Sequence, residues 1–119
     1  MSQTFTSGDF LVFQLESGFA LLRLLDVEDV NGEKTWHVAA YGDLFPDVDT
    51  AEAASASPQH LTPCNTHIAL TNRAFESTQV AKIANTPLTD TENEPLTNWR
   101  NDPNREITNR SVRLMLGLR

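Results

Sequence analysis

The chain has 119 residues, of which 39% are hydrophobic and 21% are charged, and its formal net charge is −7 at pH 7. This length and composition predict one globular domain over residues 1–119 and exclude a disordered acidic tail. No apolar run reaches the roughly 18 residues that a membrane-spanning helix needs. The lone cysteine, Cys64, excludes an intrachain disulfide framework.

The acidic residues are concentrated in the first half of the chain. Residues 1–60 contain ten acidic residues against Arg23 and Lys34, a balance of −8, whereas residues 61–119 have a balance of +1. Solubility alone explains such a charge, but an acidic surface also repels phosphate backbones and attracts basic proteins. We therefore expect a protein partner with a basic surface, and neither nucleic acid nor a membrane. The N-terminus lacks the basic and apolar regions of a signal peptide, which predicts a cytoplasmic protein.

Three strands joined by tight turns are predicted in the first third of the chain. Residues 9–15 and 19–27 are apolar runs of strand length on either side of a turn at Ser17-Gly18. Asn31-Gly32 is the strongest short hairpin signal, because both residues tolerate a positive φ, and residues 35–41 follow as the third strand. Both faces of the first two strands are apolar, as in a sheet that curls over its own core.

The middle of the chain predicts one helix and two further strands. Residues 49–57 have weak helical character, with Asp49 at an N-cap position and Glu52 three residues later, in the manner of a capping box. Residues 66–71 and 79–85 predict the fourth and fifth strands.

The last third is divided by prolines. Residues 86–95 predict a loop, and residues 95–100 could make one helical turn. Residues 111–118 alternate like a final strand, although a helix that begins at Asp102-Pro103 and stops near Gly117 is an open alternative. The whole pattern predicts a mainly β fold, a small partly open barrel of five or six strands with one or two short helices.

The stretch YGDLFPDVD, residues 41–49, combines three carboxylates with apolar side chains. Its spacing does not match a calcium loop, and a catalytic carboxylate pair requires a cleft that spacing cannot show. Turn and helix-cap chemistry explains the acids most simply. Leu44 and Phe45 form an apolar pair that either enters the core or anchors a partner. The candidate partner-binding residues are Tyr41, Asp43, Leu44, Phe45 and Asp47.

His60, Cys64 and His67 are metal-ligand types that lie close together in the segment HLTPCNTH. A zinc site needs four ligands, or three plus water, and His37 is predicted on a distant strand. A Cys–His nucleophile pair is an alternative that lacks a third group to orient it. The favoured interpretation is a buried cysteine beside solvent-facing histidines, with no metal, no cofactor and no catalytic residue.

Arginines are unusually placed in two parts of the chain. Trp99 lies beside a late cluster, and arginines with an aromatic ring can bind single-stranded nucleic acid. The cluster consists of Arg100, Arg105, Arg110, Arg113 and Arg119. Because the domain is acidic, we expect these arginines to pair with the acids of the first half.

Arg23, on an otherwise apolar strand face, either reaches water at a sheet edge, forms a buried pair or faces a ligand.

The first half of the chain carries a recognisable arrangement. Gly8-Asp9 leads into an apolar strand, Gly18 marks the next turn, and the third strand ends in Tyr41-x-x-Leu44-Phe45. This arrangement resembles SH3-like small bacterial immunity proteins, which neutralise toxins deployed against competing cells. The resemblance implies an SH3-like barrel that is not an enzyme and that blocks a toxin by direct binding. An acidic first half would suit a basic toxin domain.

Two other functions stay open on the sequence. One is a small-ligand-binding barrel or an enzyme that uses the His60–His67 segment or Arg23. The other is a structural subunit whose apolar loop serves self-assembly. The sequence leaves the oligomeric state open in each case.

Overall fold

The computed structural model describes residues 4–110 and Val112. Within this part, five strands form one antiparallel sheet with the order β4-β3-β2-β1-β5. The strands are β1 (Asp9–Leu15), β2 (Gly18–Val30), β3 (Glu33–Tyr41), β4 (Pro63–Thr71) and β5 (Ala81–Asn85). The sheet is not closed between β4 and β5, so the predicted mainly β, partly open small barrel is confirmed.

The described residues also form three α-helices and one 3₁₀ turn. The helices are α1 (Val48–Ser55), α2 (Asn72–Thr78) and α3 (Asp90–Arg100), and the 3₁₀ turn is Pro58–His60. The sequence had predicted one or two short helices, and α2 had not been expected. A Thr71 N-cap, whose hydroxyl accepts from Ala74 N, opens α2 directly at the end of β4.

The β2–β3 hairpin forms at the predicted position. Asn31 and Gly32 both have positive φ, at 56° and 85°, and Asp29 accepts a hydrogen bond from Gly32 N at 3.0 Å. These values are those of the two-residue turn that best matches the twist of an antiparallel pair. The hairpin therefore fixes the register of β2 against β3 up to the irregularity between Leu24 and Asp26.

The two faces of the sheet carry separate apolar cores. Side chains alternate across each strand, so neighbouring residues of β1 enter different cores. The first core is under α2 and includes Leu11, Phe13, Leu22, Leu24, Trp36, Val38, Leu70, Phe75 and Val112; the second includes Phe10, Val12, Leu21, Tyr41, Ala51 and Leu61. Both faces of the first strands are apolar because helices α1 and α2 cover opposite sides of the sheet.

A buried carboxylate builds the corner before β1. Asp9 is fully buried and accepts hydrogen bonds from Thr6 N at 2.8 Å and Asn85 Nδ2 at 2.7 Å. Gly8 has φ +92°, and a Cβ there would lie 2.5 Å from Thr86 O. The Gly-Asp pair that begins the resemblance is thus a structural corner that ties β1 to β5.

The cap of α1 differs from the predicted one. Asp47, not Asp49, is the N-cap, and its Oδ1 accepts from both Thr50 N and Thr50 Oγ1 at 2.7 Å. The helix begins two residues earlier than periodicity indicated, so Asp49 lies in the first turn and the proposed box with Glu52 does not form. Weak apolar patterning cannot separate two acids that both suit a cap.

Asp47→Ala is expected to lower the free energy of unfolding clearly, because it removes the acceptor for Thr50 N. Asp49→Ala is the matched control and should change stability by a few tenths of a kcal/mol through the helix dipole alone. Urea denaturation of both variants measures the difference. Equal costs for the two substitutions would contradict the cap at Asp47.

Helix α3 replaces much of the predicted loop. It begins after Thr89, whose hydroxyl accepts from Glu92 N while Glu92 accepts from Thr89 N, a complete capping box. The prolines had suggested a loop up to residue 95, but Pro95 lies inside the helix and Leu96 is buried against the sheet. Tertiary burial of α3 outweighs the cost of the proline.

The chain after α3 is irregular through residue 110 except at one point. Thr108 forms a parallel bridge with Leu70 at the outer edge of β4. The alternative helix beginning at Asp102-Pro103 is therefore wrong for residues 102–110. The predicted strand over residues 111–118 lies outside the described residues, apart from Val112, which is buried in the first core and is helical where a strand was predicted.

Candidate functional site

The stretch 41–49 connects the end of β3 to α1 and is tied to the rest of the fold at both ends. Gly42 N donates to Thr62 O at 2.8 Å, and Asp43 accepts from Thr62 N at 2.6 Å. Asp43 therefore joins this loop to the segment that precedes β4. Asp47 caps α1, and its hydrogen bonds from Thr50 lower the pKa of its carboxyl. Two of the three carboxylates have structural partners.

Phe45 holds the middle of the loop against the sheet. Its backbone exchanges two hydrogen bonds with Phe19, at 2.8 and 2.9 Å, and its half-buried ring packs against the second core. Gly18 faces this backbone, because a Cβ there would lie 2.6 Å from Phe45 O. Phe45 is thus mainly a packing residue, which answers the question that the sequence left open.

Leu44 and Val48 remain at the surface of the same loop. They are 43% and 37% exposed, and both are among the four exposed large hydrophobic side chains of residues 4–110. Asp43, Asp47 and Asp49 lie between and beside them in the chain. We call these five residues the acidic–apolar patch. Tyr41, another candidate, is only 5% exposed and stacks on Phe10.

Val48 was missed by the sequence analysis. Val48 lies on the same face of α1 as the buried Ala51 and Ser55, but it is the first residue of the helix and remains 37% exposed. The helical pattern by itself indicates burial for Val48, so its exposure is decided by the tertiary structure. The patch is therefore shared between the loop and the first turn of α1.

A second cluster is built around His37 and His67, on the sheet face that also carries the second core. His37 Nδ1 and His67 Nε2 are 2.9 Å apart, although His37 was predicted on a distant strand. The β3–β4 register sets His37 opposite Ala69, two residues from His67. Glu28 Oε1 lies 3.1 Å from His37 Nε2, a close contact that is not aligned as a hydrogen bond. The carboxylate favours the His37 tautomer with its proton on Nε2, and in that tautomer Nδ1 accepts from His67 Nε2.

Two residues of α3, Trp99 and Arg100, complete this cluster. The Trp99 ring lies 4.8 Å from the His37 ring and 5.6 Å from the His67 ring, measured between centroids. Arg100 pairs with Glu28 at 3.0 Å and also with Asp26. The expected pairing of a late arginine with first-half acids is therefore confirmed for Arg100.

Burial lowers the pKa of both histidines. For His67 the pKa falls from 6.5 to about 4, chiefly by desolvation and then by the neighbouring His37 and Arg100. For His37 desolvation is again the largest cause, opposed by Glu28. The folded protein therefore favours neutral rings at a pH where the unfolded chain would bind protons.

The free energy of unfolding is expected to fall as the pH drops from 6.5 toward 4. A lowered folded-state pKa means that the unfolded state takes up the proton first, so the stability is present above pH 6.5 and is lost as the pH approaches 4. For this half-buried ring the loss is about 1–2 kcal/mol after solvent screening.

Urea denaturation across this range should give a shallower pH dependence for His67→Gln than for the native chain. His60→Gln is the matched control, because His60 is exposed on the 3₁₀ turn, and it should retain the native slope. An unchanged slope in His67→Gln would refute the assignment of this acid sensitivity to the histidine pair.

The segment around Cys64 does not form the arrangement that the sequence favoured. Cys64 is exposed, not buried, and its Sγ lies 3.5 Å from Ala40 O. His60 is exposed and His67 is half-buried against His37. Among the described residues, no group of three or more His, Cys, Asp or Glu side chains is placed to hold a metal ion.

Arg23 forms a buried pair. It is 1% exposed on a central strand, so the interpretation of a side chain that reaches water at a sheet edge was wrong. Its Nη1 donates to Gly8 O at 2.8 Å, its guanidinium lies 4.1 Å from the centre of the Phe10 ring, and its Nε is 3.3 Å from Glu92 Oε2. The sequence could not identify Glu92, which lies on a helix that was predicted as loop.

Arg105 and Arg110 do not make a basic surface. Arg105 lies 5.5 Å from the Trp99 ring centre, and with Arg110 it lines an open groove of about 700 Å³ beside β4. Asp102 and Glu106 line the same groove and balance these charges. A nucleic-acid track requires an excess of positive charge, which this groove lacks. Arg113 and Arg119 lie outside the described residues.

No protein-family model matches the chain, and no significant match is found among curated proteins or solved structures. In the part of the chain that the structure describes, none of the helices has both the length and the apolar character needed to cross a membrane.

Proposed function

We propose that this protein is a non-enzymatic binding protein that recognises a basic surface of another protein through the acidic–apolar patch. More specifically, we propose that it is an immunity protein that acts in the bacterial cytoplasm and neutralises a toxin by direct binding. The observation that carries the proposal is the exposure of Leu44 and Val48, at 43% and 37%, among three carboxylates. The resemblance of the first half to immunity proteins supports the specific form.

The apolar and the charged residues of the patch have different roles, as in other protein interfaces. Exposed apolar side chains supply most of the binding energy, and surrounding charges steer the encounter and select the partner. Leu44 and Val48 take the first role. The carboxylates Asp43, Asp47 and Asp49 take the second, within an N-terminal half whose formal balance is −8.

The patch is also held in one conformation before any partner arrives. Hydrogen bonds from Thr62 to Asp43, between Phe45 and Phe19, and from Thr50 to Asp47 fix it at three points. A loop that is already ordered loses less conformational entropy on binding. This preorganisation favours tight binding by a small surface.

If a toxin-like protein is encoded beside the gene, it is the partner to test, by calorimetry and by protection of cells that express it. Leu44→Ser should weaken binding by about 2 kcal/mol, or roughly 30-fold, with the free energy of unfolding nearly unchanged. Val30→Ser is the matched control, since Val30 is 64% exposed on the hairpin at the other end of β3. Native affinity in Leu44→Ser would reject the patch as the interface.

Charge and assembly provide two further readouts. Asp49→Asn should slow association, most strongly at low salt, and leave dissociation nearly unchanged.

Sedimentation of the purified chain separates partner binding from self-assembly. A dimer that Leu44→Ser dissociates would favour the structural-subunit alternative, and a gene without a toxin-like neighbour would argue against the immunity form.

A further inference from the structure

A small cleft lies beneath α3 on the sheet face that also carries the second core. It has a volume of about 150 Å³. Leu25, Ala39 and Tyr41 form its floor on β2 and β3, and Pro63 and Pro95 form its sides on β4 and α3. The cleft is partly open, which provides an entry path. It is separate from the groove beside Trp99, with which it shares no lining residue.

The charges at one end of the cleft are already neutralised. Arg23 and Glu92 line it and pair with each other at 3.3 Å. Arg23 Nη1 donates to Gly8 O at 2.8 Å and Nη2 to Pro87 O at 3.4 Å, whereas Nε contacts Glu92 without an aligned hydrogen bond. A charged ligand would have to displace one of these partners and be desolvated in an apolar space. The cleft therefore favours a neutral occupant.

Tyr41 supplies one polar group at the cleft. Its side chain is 5% exposed, but its hydroxyl is not among the fully buried polar atoms that lack a partner in the described residues, so solvent reaches this group. Burial raises the pKa of this phenol, so the hydroxyl stays protonated and can both donate and accept. In the empty cleft water can pair with this hydroxyl, and an occupant that carries one oxygen can take the place of that water.

We propose that this cleft binds a small neutral molecule built on a single six-membered ring, with a hydroxyl or carbonyl oxygen directed to Tyr41. Apolar cavities of about 150 Å³ accommodate a benzene-sized molecule. A ligand of seven heavy atoms binds with a Kd on the order of 1 mM when its contacts are of ordinary quality. The site is independent of the acidic–apolar patch, and its existence does not depend on the proposed toxin partner.

Phenol and benzene are the probes, added to the purified chain and followed by amide chemical shifts and by the unfolding temperature. We expect saturable shifts at residues that line the cleft and a higher unfolding temperature for both probes. Ala39→Leu fills the cleft and should abolish both effects. Ala53→Leu, on the exposed face of α1, is the matched control and should retain them.

Tyr41→Phe tests the polar contact. It should weaken the binding of phenol several-fold and leave that of benzene unchanged. If Ala39→Leu does not fold, Thr66→Leu fills the same cleft from an exposed position on β4. The proposal is overturned if neither probe gives saturable shifts in the native chain, or if a folded, filled variant binds them as well as Ala53→Leu does.

Discussion

Arg23→Ala is expected to lower the free energy of unfolding by about 3–5 kcal/mol, the range seen when one partner of a buried ion pair is removed. Arg23 is 1% exposed, and its guanidinium contacts Glu92, Gly8 O and the Phe10 ring. Alanine would leave Glu92 without its cation and a cavity over the ring, and Gly8 O would keep only the hydrogen bond from Thr86 N. Urea denaturation followed by circular dichroism measures the loss.

Glu92→Gln separates the charge from the helix cap. Glutamine can still accept from Thr89 N, as Glu92 Oε1 does at 2.9 Å, because capping boxes accept either residue. Its cost should be smaller, about 1–2 kcal/mol, since Glu92 is 26% exposed. In a double-mutant cycle with Arg23→Met, the two losses should be less than additive. Additive losses would show that the pair contributes nothing beyond its separate contacts.

Gly18→Ala is expected to lower the free energy of unfolding by about 2–4 kcal/mol and to weaken binding at the acidic–apolar patch. The residue has φ +146°, and its added methyl would lie 2.6 Å from Phe45 O. Phe45 cannot move without breaking the hydrogen bonds that it exchanges with Phe19. The displacement would pass directly to Leu44, the adjacent residue in the patch.

Gly32→Ala is the matched control for this substitution. Gly32 has φ +85°, but nothing lies within 4 Å of an added Cβ. Gly32→Ala should therefore lower the free energy of unfolding by only about 1 kcal/mol, the strain of a left-handed alanine. Partner binding should stay native. Equal effects at Gly18 and Gly32 would show that the loop yields to the methyl and that the close approach to Phe45 is not a constraint.

The sequence by itself determined the sheet and its hairpins. The apolar runs of β1 and β2, the Asn31-Gly32 turn and the strand at residues 81–85 are local signals, and their structure follows from side-chain alternation and from backbone preferences. The acidic loop around Leu44 was also predicted, because its residues are turn-forming, but the sequence left open whether Leu44 enters the core. Such features depend on residues that are close in the chain.

Only the tertiary structure decided which distant groups meet. His37 contacts His67 because the irregular β3–β4 register sets them on one face, and spacing along the chain contains no record of that register. Arg23 is buried because α3, predicted as loop, brings Glu92 over a central strand. A charge can remain in such a place only when a partner from elsewhere in the chain neutralises it, and that partner is determined by packing.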